Sequence, residues 1–404
     1  MDEYSLATQM VHGGTMRSGF GETSEAMFLT QGFVYDSAEE AEARFSGDAE
    51  GYVYSRYGNP TVEMFEQRMA ALEGADVGRA TASGMAAVTA ALMAATKAGD
   101  HVVASDALFG GCRYVVETWL PRFGVEATLV DGTDPAAWER AVRPNTVAFF
   151  METPTNPTLA LVDIAHVASV RDASAPGAVV VVDNVFATPL WQKPRELGAD
   201  VVVYSATKHV DGQGRCLGGV ILCSAEWNKE KLDPVMKQTG PAMSPFNAWV
   251  MLKSLETLPL RLKAQTDGAE EVADALASHA GVSRVLYPGR DDHPQAELAR
   301  RQMARGSTLV AFEVEGGKAA AFALANALKL IKLSNNLGDT KSLITHPATT
   351  THQRLTQEQR DALGISDSLL RLSVGLEEPS DLVADLTRAL DVAGKGVSLK
   401  RATG

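Results

Sequence analysis

Ala178-Val-Val-Val-Val182 runs without a polar break into Asp183, and Ala199-Asp-Val-Val-Val203 runs into Tyr204-Ser-Ala-Thr-Lys208. Four consecutive valines do not suit a strand with one wet face, where polar residues would alternate. They fit a parallel sheet covered on both faces. Apolar segments of this kind recur at 101–105, 125–130, 146–151, 178–183, 199–204 and 218–223, alternating with helical patterns. That alternation predicts a parallel sheet with crossover helices from His101 onward. Upstream, Asn59 caps a helix, Pro60 takes its first position and Gly74 ends it. A second helix is predicted from about Gly84 to Lys97, closed by Gly99.

After Asn228 the pattern turns helical, with a long candidate near 246–280. A smaller α/β unit follows, with strands near 308–315, 330–335 and 369–376 and a last helix from Pro379. Residues 1–48 carry glycines at 13, 14, 19, 21 and 32 and show weak periodicity, which reads as an extended arm of the kind that wraps a partner subunit. The expected organisation is an arm at 1–48, a large domain at 49–245 and a C-terminal domain at 246–404, closely packed because no flexible linker separates them.

At 404 residues with 45% hydrophobic residues, the chain suffices for two domains and a large core. A net charge of −13 argues against nucleic acid as a main partner, since phosphate backbones call for a basic surface. Cys112, Cys216 and Cys223 form no CxxC and are odd in number, as expected of idle thiols in a reducing compartment. The start, Met1-Asp-Glu-Tyr, lacks the basic and apolar segments of a signal peptide. The longest nearly apolar stretch, Met85 to Ala95, is too short to span a bilayer. A cytoplasmic address without membrane attachment is therefore expected.

Candidate chemistry sits at the strand ends. Ligands of parallel sheets gather beyond the carboxyl ends of the strands, so Asp183 and Lys208 both face that crevice. A lysine there can condense with an aldehyde, and an aspartate can hold a pyridine nitrogen protonated; pyridoxal 5′-phosphate needs both groups. Ser83-Gly84-Met85 opens a helix whose first-turn amides can meet a phosphate, and Ser205 and Thr207 bring two hydroxyls beside Lys208. Asn156, in the rigid Glu152-Thr-Pro-Thr-Asn-Pro157 loop, can donate to the cofactor's phenolic oxygen or to a substrate carboxylate. Phe109, ahead of Gly110 and Gly111, can stack on the pyridine ring. Arg371, in the apolar Leu369-Leu-Arg-Leu-Ser-Val-Gly375, needs either a substrate α-carboxylate or an internal acid as partner. Competing motifs fail. Gly212-Gln-Gly214-Arg-Cys-Leu-Gly218 has GxGxxxG spacing and precedes a strand, unlike a dinucleotide fingerprint. No GxxxxGK[ST], GxSxG or HExxH occurs, His346 and His352 lack metal-ligand spacing, and no metal is expected.

Taken in order, Tyr54-Ser-Arg56-Tyr-Gly-Asn-Pro-Thr61, Ser83-Gly84-Met85, Phe109-Gly-Gly111, Glu152-Thr-Pro-Thr-Asn-Pro157, Val182-Asp183-Asn184, Ser205-Ala-Thr-Lys208 and Arg371-Leu-Ser-Val-Gly375 resemble the pyridoxal-phosphate-dependent enzymes of cysteine and methionine metabolism. The resemblance covers nearly the whole chain. It implies the aspartate-aminotransferase-like fold (fold type I), a large domain on a mostly parallel sheet of seven-stranded type plus a smaller C-terminal α/β domain. By this similarity Lys208 binds the cofactor covalently, Asp183 pairs with its ring nitrogen, and Ser83, Gly84, Met85, Ser205 and Thr207 hold its phosphate. The residues matching Tyr54 and Arg56 reach the neighbouring subunit's cofactor in the family, with Tyr54 among the catalytic groups. A dimer is then the minimal active unit and a homotetramer the usual assembly.

The run from Lys208 to Gly219 is similar to members that form homocysteine and succinate from O-succinylhomoserine and sulfide, in methionine biosynthesis. Other activities of the family are alternatives: use of O-acetylhomoserine, cystathionine synthesis, or elimination as in methionine and cystathionine γ-lyases. A nucleotide-binding protein without the cofactor is a remote one. Three departures stand out. Phe109 replaces a usual Tyr, and Asn336 replaces a common Ser that helps bind carboxylate. Lys341 replaces the Glu that cystathionine enzymes direct at a distal ammonium, which favours sulfide as sulfur donor. An O-succinyl group carries an extra carboxylate, for which Arg215 or Lys341 would be the cation, unless Arg215 pairs internally with Asp211.

Overall fold

The valine runs lie at the centre of a seven-stranded sheet. Its strands are β1 (Val77–Thr81), β2 (His101–Ser105), β3 (Glu126–Val130), β4 (Thr146–Glu152), β5 (Val179–Asp183), β6 (Val201–Tyr204) and β7 (Gly219–Cys223), in the order β1-β7-β6-β5-β4-β2-β3. The source is a computed structural model that describes residues 3–402, with side chains through residue 394. Met1, Asp2, Thr403 and Gly404, the outermost residues of the expected arm and C-terminal domain, lie outside the described residues. Val180, Val182 and Val202 enter the core on one face of the sheet, Val181, Val201 and Val203 the core on the other. Both faces are thus covered, and each fully buried valine contributes about 1.5–3 kcal/mol.

Strands β2 to β6 pair in parallel, but β7 is antiparallel to β6 and β1 antiparallel to β7. This corrects the expectation of parallel crossovers as far as residue 223. Residues 205–218 contain no helix, so the chain has no crossover element and turns back beside β6. The double reversal has a consequence for function. It points β1 the same way as β6, so the segments after β1, β2, β4, β5 and β6 all emerge at one edge.

The helix Pro60–Glu73 is capped by the Asn59 side chain, which accepts from the Thr61 and Val62 amides, and it ends at Gly74 in the left-handed region. The helix Gly84–Ala95 is capped by Ser83. The long helical candidate near 246–280 is two helices, Pro245–Leu255 and Leu258–Ala277; Pro259 restarts the chain because it lacks an amide to continue the first. Ala248, Met251, Leu252, Leu255, Leu258 and Leu262 share the core of the large sheet.

The smaller sheet has five strands, β8 (Val282–Leu286), β9 (Leu309–Val314), β10 (Lys332–Leu333), β11 (Leu343–Thr345) and β12 (Leu369–Ser373), ordered β10-β11-β12-β9-β8. Strand β12 is central, pairing Arg371 with Thr345 on one side and Ala311 on the other. The last helix runs from Pro379 to Ala402.

The N-terminal segment is less extended than its composition suggests. It contains helices Leu6–His12 and Ala38–Ser46, the latter capped by Ser37, whose side chain accepts from the Glu40 amide. Fully buried Arg68 ties this segment down: it donates to Gly13 O at 2.8 Å, to Val11 O at 3.1 Å and to the Glu25 carboxylate. Burial pushes that carboxyl up, but Lys253 and Arg68 outweigh it and bring it down to about 2.

Candidate active site

The crevice at the carboxyl edge of the large sheet gathers nearly every residue expected there. Asp183 ends β5 and Glu152 ends β4 beside it, in register across the parallel pair. Reactive atoms of Cys112, Glu152 and Asp183 all lie within 4.8 Å of one another. Burial pushes both carboxyls above their ordinary range, and the Asp183 charge pushes Glu152 further. Two carboxyls so close and so buried oppose each other's ionisation. Glu152 accepts the Phe109 amide at 2.8 Å, and Asp183 accepts the Val185 amide at 3.1 Å. Burial holds the Cys112 thiol protonated, so the trio makes a poor metal site and a natural floor for a ring with a basic nitrogen.

The phosphate-binding expectation rests on a close approach of two loops. The Ser83 hydroxyl accepts from the Ala86 amide at 3.1 Å, and the first-turn amides of Gly84 and Met85 have no intrahelical acceptor. A Cβ on Gly84 would lie 2.5 Å from that of Ser205, so only glycine lets this helix end meet the loop before Lys208. Ser205 thus brings its hydroxyl beside a helix N-terminus. Thr207 is partly committed: its hydroxyl donates to Gly218 O at 3.1 Å and accepts from the Gly218 amide at 3.0 Å. Two free amide donors, a serine hydroxyl and a positive helix end suit a phosphate dianion.

Lys208 donates to the Asn336 side-chain oxygen at 2.6 Å. Burial and the nearby Arg371 charge drive its amine down to about 8, so a sizeable neutral fraction exists at physiological pH. The smaller domain supplies this wall. Gly338 adopts φ +74° and its Cα approaches the Lys208–His209 backbone so closely that a Cβ would lie 2.6 Å from the His209 nitrogen. His209 is buried and neutral, with Nε2 2.7 Å from the Thr308 hydroxyl.

Arg371 is buried, and among the described residues no acid pairs with it. Nη1 donates to the Asn156 side-chain oxygen at 2.8 Å, Nη2 to Asn335 O at 2.9 Å, and Nε has no partner. Burial lowers its pKa to about 10. A guanidinium held by neutral oxygens with a free donor suits an arriving carboxylate. Asn156 still has its amide donors available. Phe109, 40% exposed, stands at the crevice mouth, where a stacking role is open to it.

Two expected substrate cations are placed otherwise. Arg215 Nε donates to fully buried Asp211 at 2.9 Å, and its Nη2 donates to Asp211 O and to the Ser254 hydroxyl. The internal pair with Asp211, the alternative weighed for Arg215, is thus formed, while its side chain stays 40% exposed. Lys341 is 66% exposed at its side chain and rests 3.2 Å from Asp339. Tyr54 and Arg56 pack together, the guanidinium 5.6 Å from the Tyr54 ring and 4.7 Å from the Tyr57 ring, while Arg56 also donates to Lys237 O. Two residues escaped the sequence reading. Glu152 shares the strand-end signature of Asp183 and could have been found by it; His352, set aside for want of metal spacing, is buried with Nε2 unpartnered.

A family model described as Cys/Met metabolism PLP-dependent enzyme matches residues 7–391. The chain belongs to this family. It is 53% identical to a Mycobacterium tuberculosis protein named O-succinylhomoserine sulfhydrylase, over 96% of this chain and 96% of that one. A Pseudomonas aeruginosa protein of the same name is 48% identical, over 95% of this chain and 94% of its own length. A crystal structure from Campylobacter jejuni, a putative O-acetylhomoserine (thiol)-lyase with N′-pyridoxyl-lysine-5′-monophosphate, superposes with a TM-score of 0.91 at 31% identity, covering 96% of this chain and 100% of that one. The fold is that of the pyridoxal-phosphate enzymes of fold type I, and the protein is a pyridoxal-phosphate-dependent enzyme. The close-set Gly84 and Ser205, the carboxyl pair and the Lys208 amine all suit that cofactor.

The depressed amine sets a test. In cofactor-free protein, capture of pyridoxal phosphate by Lys208 should accelerate as pH rises through about 8, where the neutral amine becomes dominant. Arg371→Gln removes a repelling charge and should move that midpoint upward. A midpoint near the ordinary lysine value of 10.5, or one unmoved by the substitution, would contradict the assignment.

Proposed function

We propose that the protein forms L-homocysteine and succinate from O-succinyl-L-homoserine and hydrogen sulfide, a γ-replacement. The observation that carries this reading is a lysine amine of lowered pKa beside a buried arginine that has no acid of its own among the described residues. The choice of acyl group is supported by the names of the 53% and 48% identical relatives.

Bound pyridoxal phosphate supplies an electron sink for negative charge developing at the substrate Cα. Lys208 would hold it covalently, Asp183 would keep its ring nitrogen protonated, and Phe109 would cover the ring. Ser83, the Gly84 and Met85 amides, Ser205 and Thr207 would receive the phosphate. Arg371 and the Asn156 amide orient the substrate by its α-carboxylate. Asn336, which here accepts from Lys208, would be free to turn to the same carboxylate whenever the lysine amine points elsewhere. Lys208 then moves protons at Cα and Cβ; an amine near pKa 8 serves as both base and acid at neutral pH. Succinate leaves from Cγ and hydrosulfide adds there. Lys341 presents a cation, not the acid that a distal ammonium would need, which agrees with sulfide as nucleophile.

The assembly proposed is a homotetramer whose minimal active unit is a dimer. In support, the N-terminal segment leaves Phe20 97%, Leu29 69% and Val34 92% exposed, and Tyr54, whose backbone bridges Gly32, is 40% exposed. Apolar side chains so concentrated suit burial against another subunit. Among the described residues no helix is long and apolar enough to cross a membrane. The free thiols of Cys112, Cys216 and Cys223 support a cytoplasmic setting.

Steady-state turnover of O-succinyl- and O-acetyl-L-homoserine, each with sulfide or cysteine, tests the activity. Homocysteine formation from the succinyl ester and sulfide should be the fastest pair, with release of 2-oxobutanoate and ammonia a minor reaction. Predominant elimination, or preference for the acetyl ester, would overturn it. For the assembly, mixing Arg56→Ala with Lys208→Ala protomers should restore part of the activity that each lacks, because a hybrid dimer holds one site with both residues intact. Proven subunit exchange without rescue would place Arg56 in the service of its own chain.

A further inference from the structure

A cavity of about 1150 Å³ opens from the crevice, bounded on one side by residues 108–119 and on the other by the loop at 349–355. Its lining includes Phe109 and Asn335, whose carbonyl oxygen receives Arg371. A substrate held by its α-carboxylate at Arg371 has this space for whatever its γ-oxygen carries.

The cations on the wall differ in partners and in burial: Arg113 is half-buried and Arg354 is exposed. Arg113 is clamped by Glu117 through two bonds of 2.8 and 3.0 Å and by Asp106 O at 3.1 Å, so its charge is already answered. Arg354 makes no hydrogen bond or ion pair among the described residues, and it lines the same cavity. Beside it buried His352 also lines the space; its Nε2 makes no well-formed hydrogen bond, although the Asn156 backbone lies close enough to favour the protonated ring. Burial and the Arg371 charge hold that imidazole neutral, at about 4, so it can give or take a hydrogen bond without adding charge. Arg215 and Lys341 each already have an acid.

We infer that this cavity is the acyl-group subsite and that Arg354 is the specificity residue, receiving the terminal carboxylate of a dicarboxylic acyl ester with His352 Nε2 as a neutral neighbour. The inference rests on the proposed γ-replacement reading for its substrate, but not for its anion. A succinyl chain ends in a carboxylate that a guanidinium binds through paired donors, whereas an acetyl group ends in a methyl that offers it nothing. Arg354 touches neither the reacting carbon nor the lysine, so its loss should act on binding and leave the chemical step alone.

Arg354→Ala should raise KM for O-succinyl-L-homoserine about tenfold or more, with kcat within about twofold. Turnover of O-acetyl-L-homoserine should stay within about twofold on both parameters, and Arg354→Lys should recover part of the loss. Free succinate, measured by calorimetry on the holoenzyme, should bind the wild type and lose affinity in Arg354→Ala by a similar factor. Equal losses on both esters, or an unchanged KM for the succinyl ester, would overturn the inference. Should the wild type reject the succinyl ester altogether, the γ-replacement reading fails by itself. Succinate binding then judges Arg354 alone: weakening in Arg354→Ala sustains the subsite, and equal binding or none overturns it.

Discussion

A buried guanidinium with no carboxylate to neutralise it is an unstable thing to build, costing on the order of several kcal/mol when left unpaired. Arg371 exists in that condition, in the central strand of the small sheet, held by an asparagine oxygen and a backbone carbonyl. Much of the site follows from it. Its charge, together with burial, lowers the Lys208 amine, and it also holds His352 neutral. The cation is fixed by one domain and faces loops of the other, so the two sheets must dock for the site to exist. The carboxyl pair on the opposite wall is the counterpart: Asp183 and Glu152 are pressed together out of water and await a positive ring nitrogen.

The reversal at β7 brings these parts to one place. Because β7 and β1 both run against their neighbours, the capped helix at Ser83 opens at the same edge as Asp183 and Lys208. Gly84 then allows the helix end to approach Ser205. A crossover in place of that reversal would have sent the helix start elsewhere and left the phosphate without a receptor.

How much of this was legible in the chain depends on the range of the forces involved. Asp183, Lys208 and the Asn59 and Ser83 caps announce themselves through neighbours within a few positions, and all four stand where the pattern puts them. Strand β1, Val-Gly-Arg-Ala-Thr, carries little local signal and forms because β7 offers an edge far along the chain. The three-residue β11 is likewise made by its neighbours. The partner of Arg371 was undecidable from sequence, since acid and substrate are equally compatible with an arginine in an apolar strand. The Arg215–Asp211 pair could be weighed from sequence only as an alternative, because residues 205–218 form no helix and a spacing of four fixes no contact in a loop. Arg354 stands in a polar loop with nothing to mark it; its place on the cavity wall without a partner among the described residues is visible only in the fold.

The central claim is that Arg371 is kept unpaired in order to receive the substrate's α-carboxylate. The most direct measurement is a binding cycle on the holoenzyme, comparing L-homoserine with its α-carboxamide in the wild type and in Arg371→Gln. Removing the carboxylate should weaken binding to the wild type by about tenfold to a hundredfold, the worth of a charge-assisted contact, and should scarcely matter to the variant. The same loss in both proteins would mean that the carboxylate is held elsewhere.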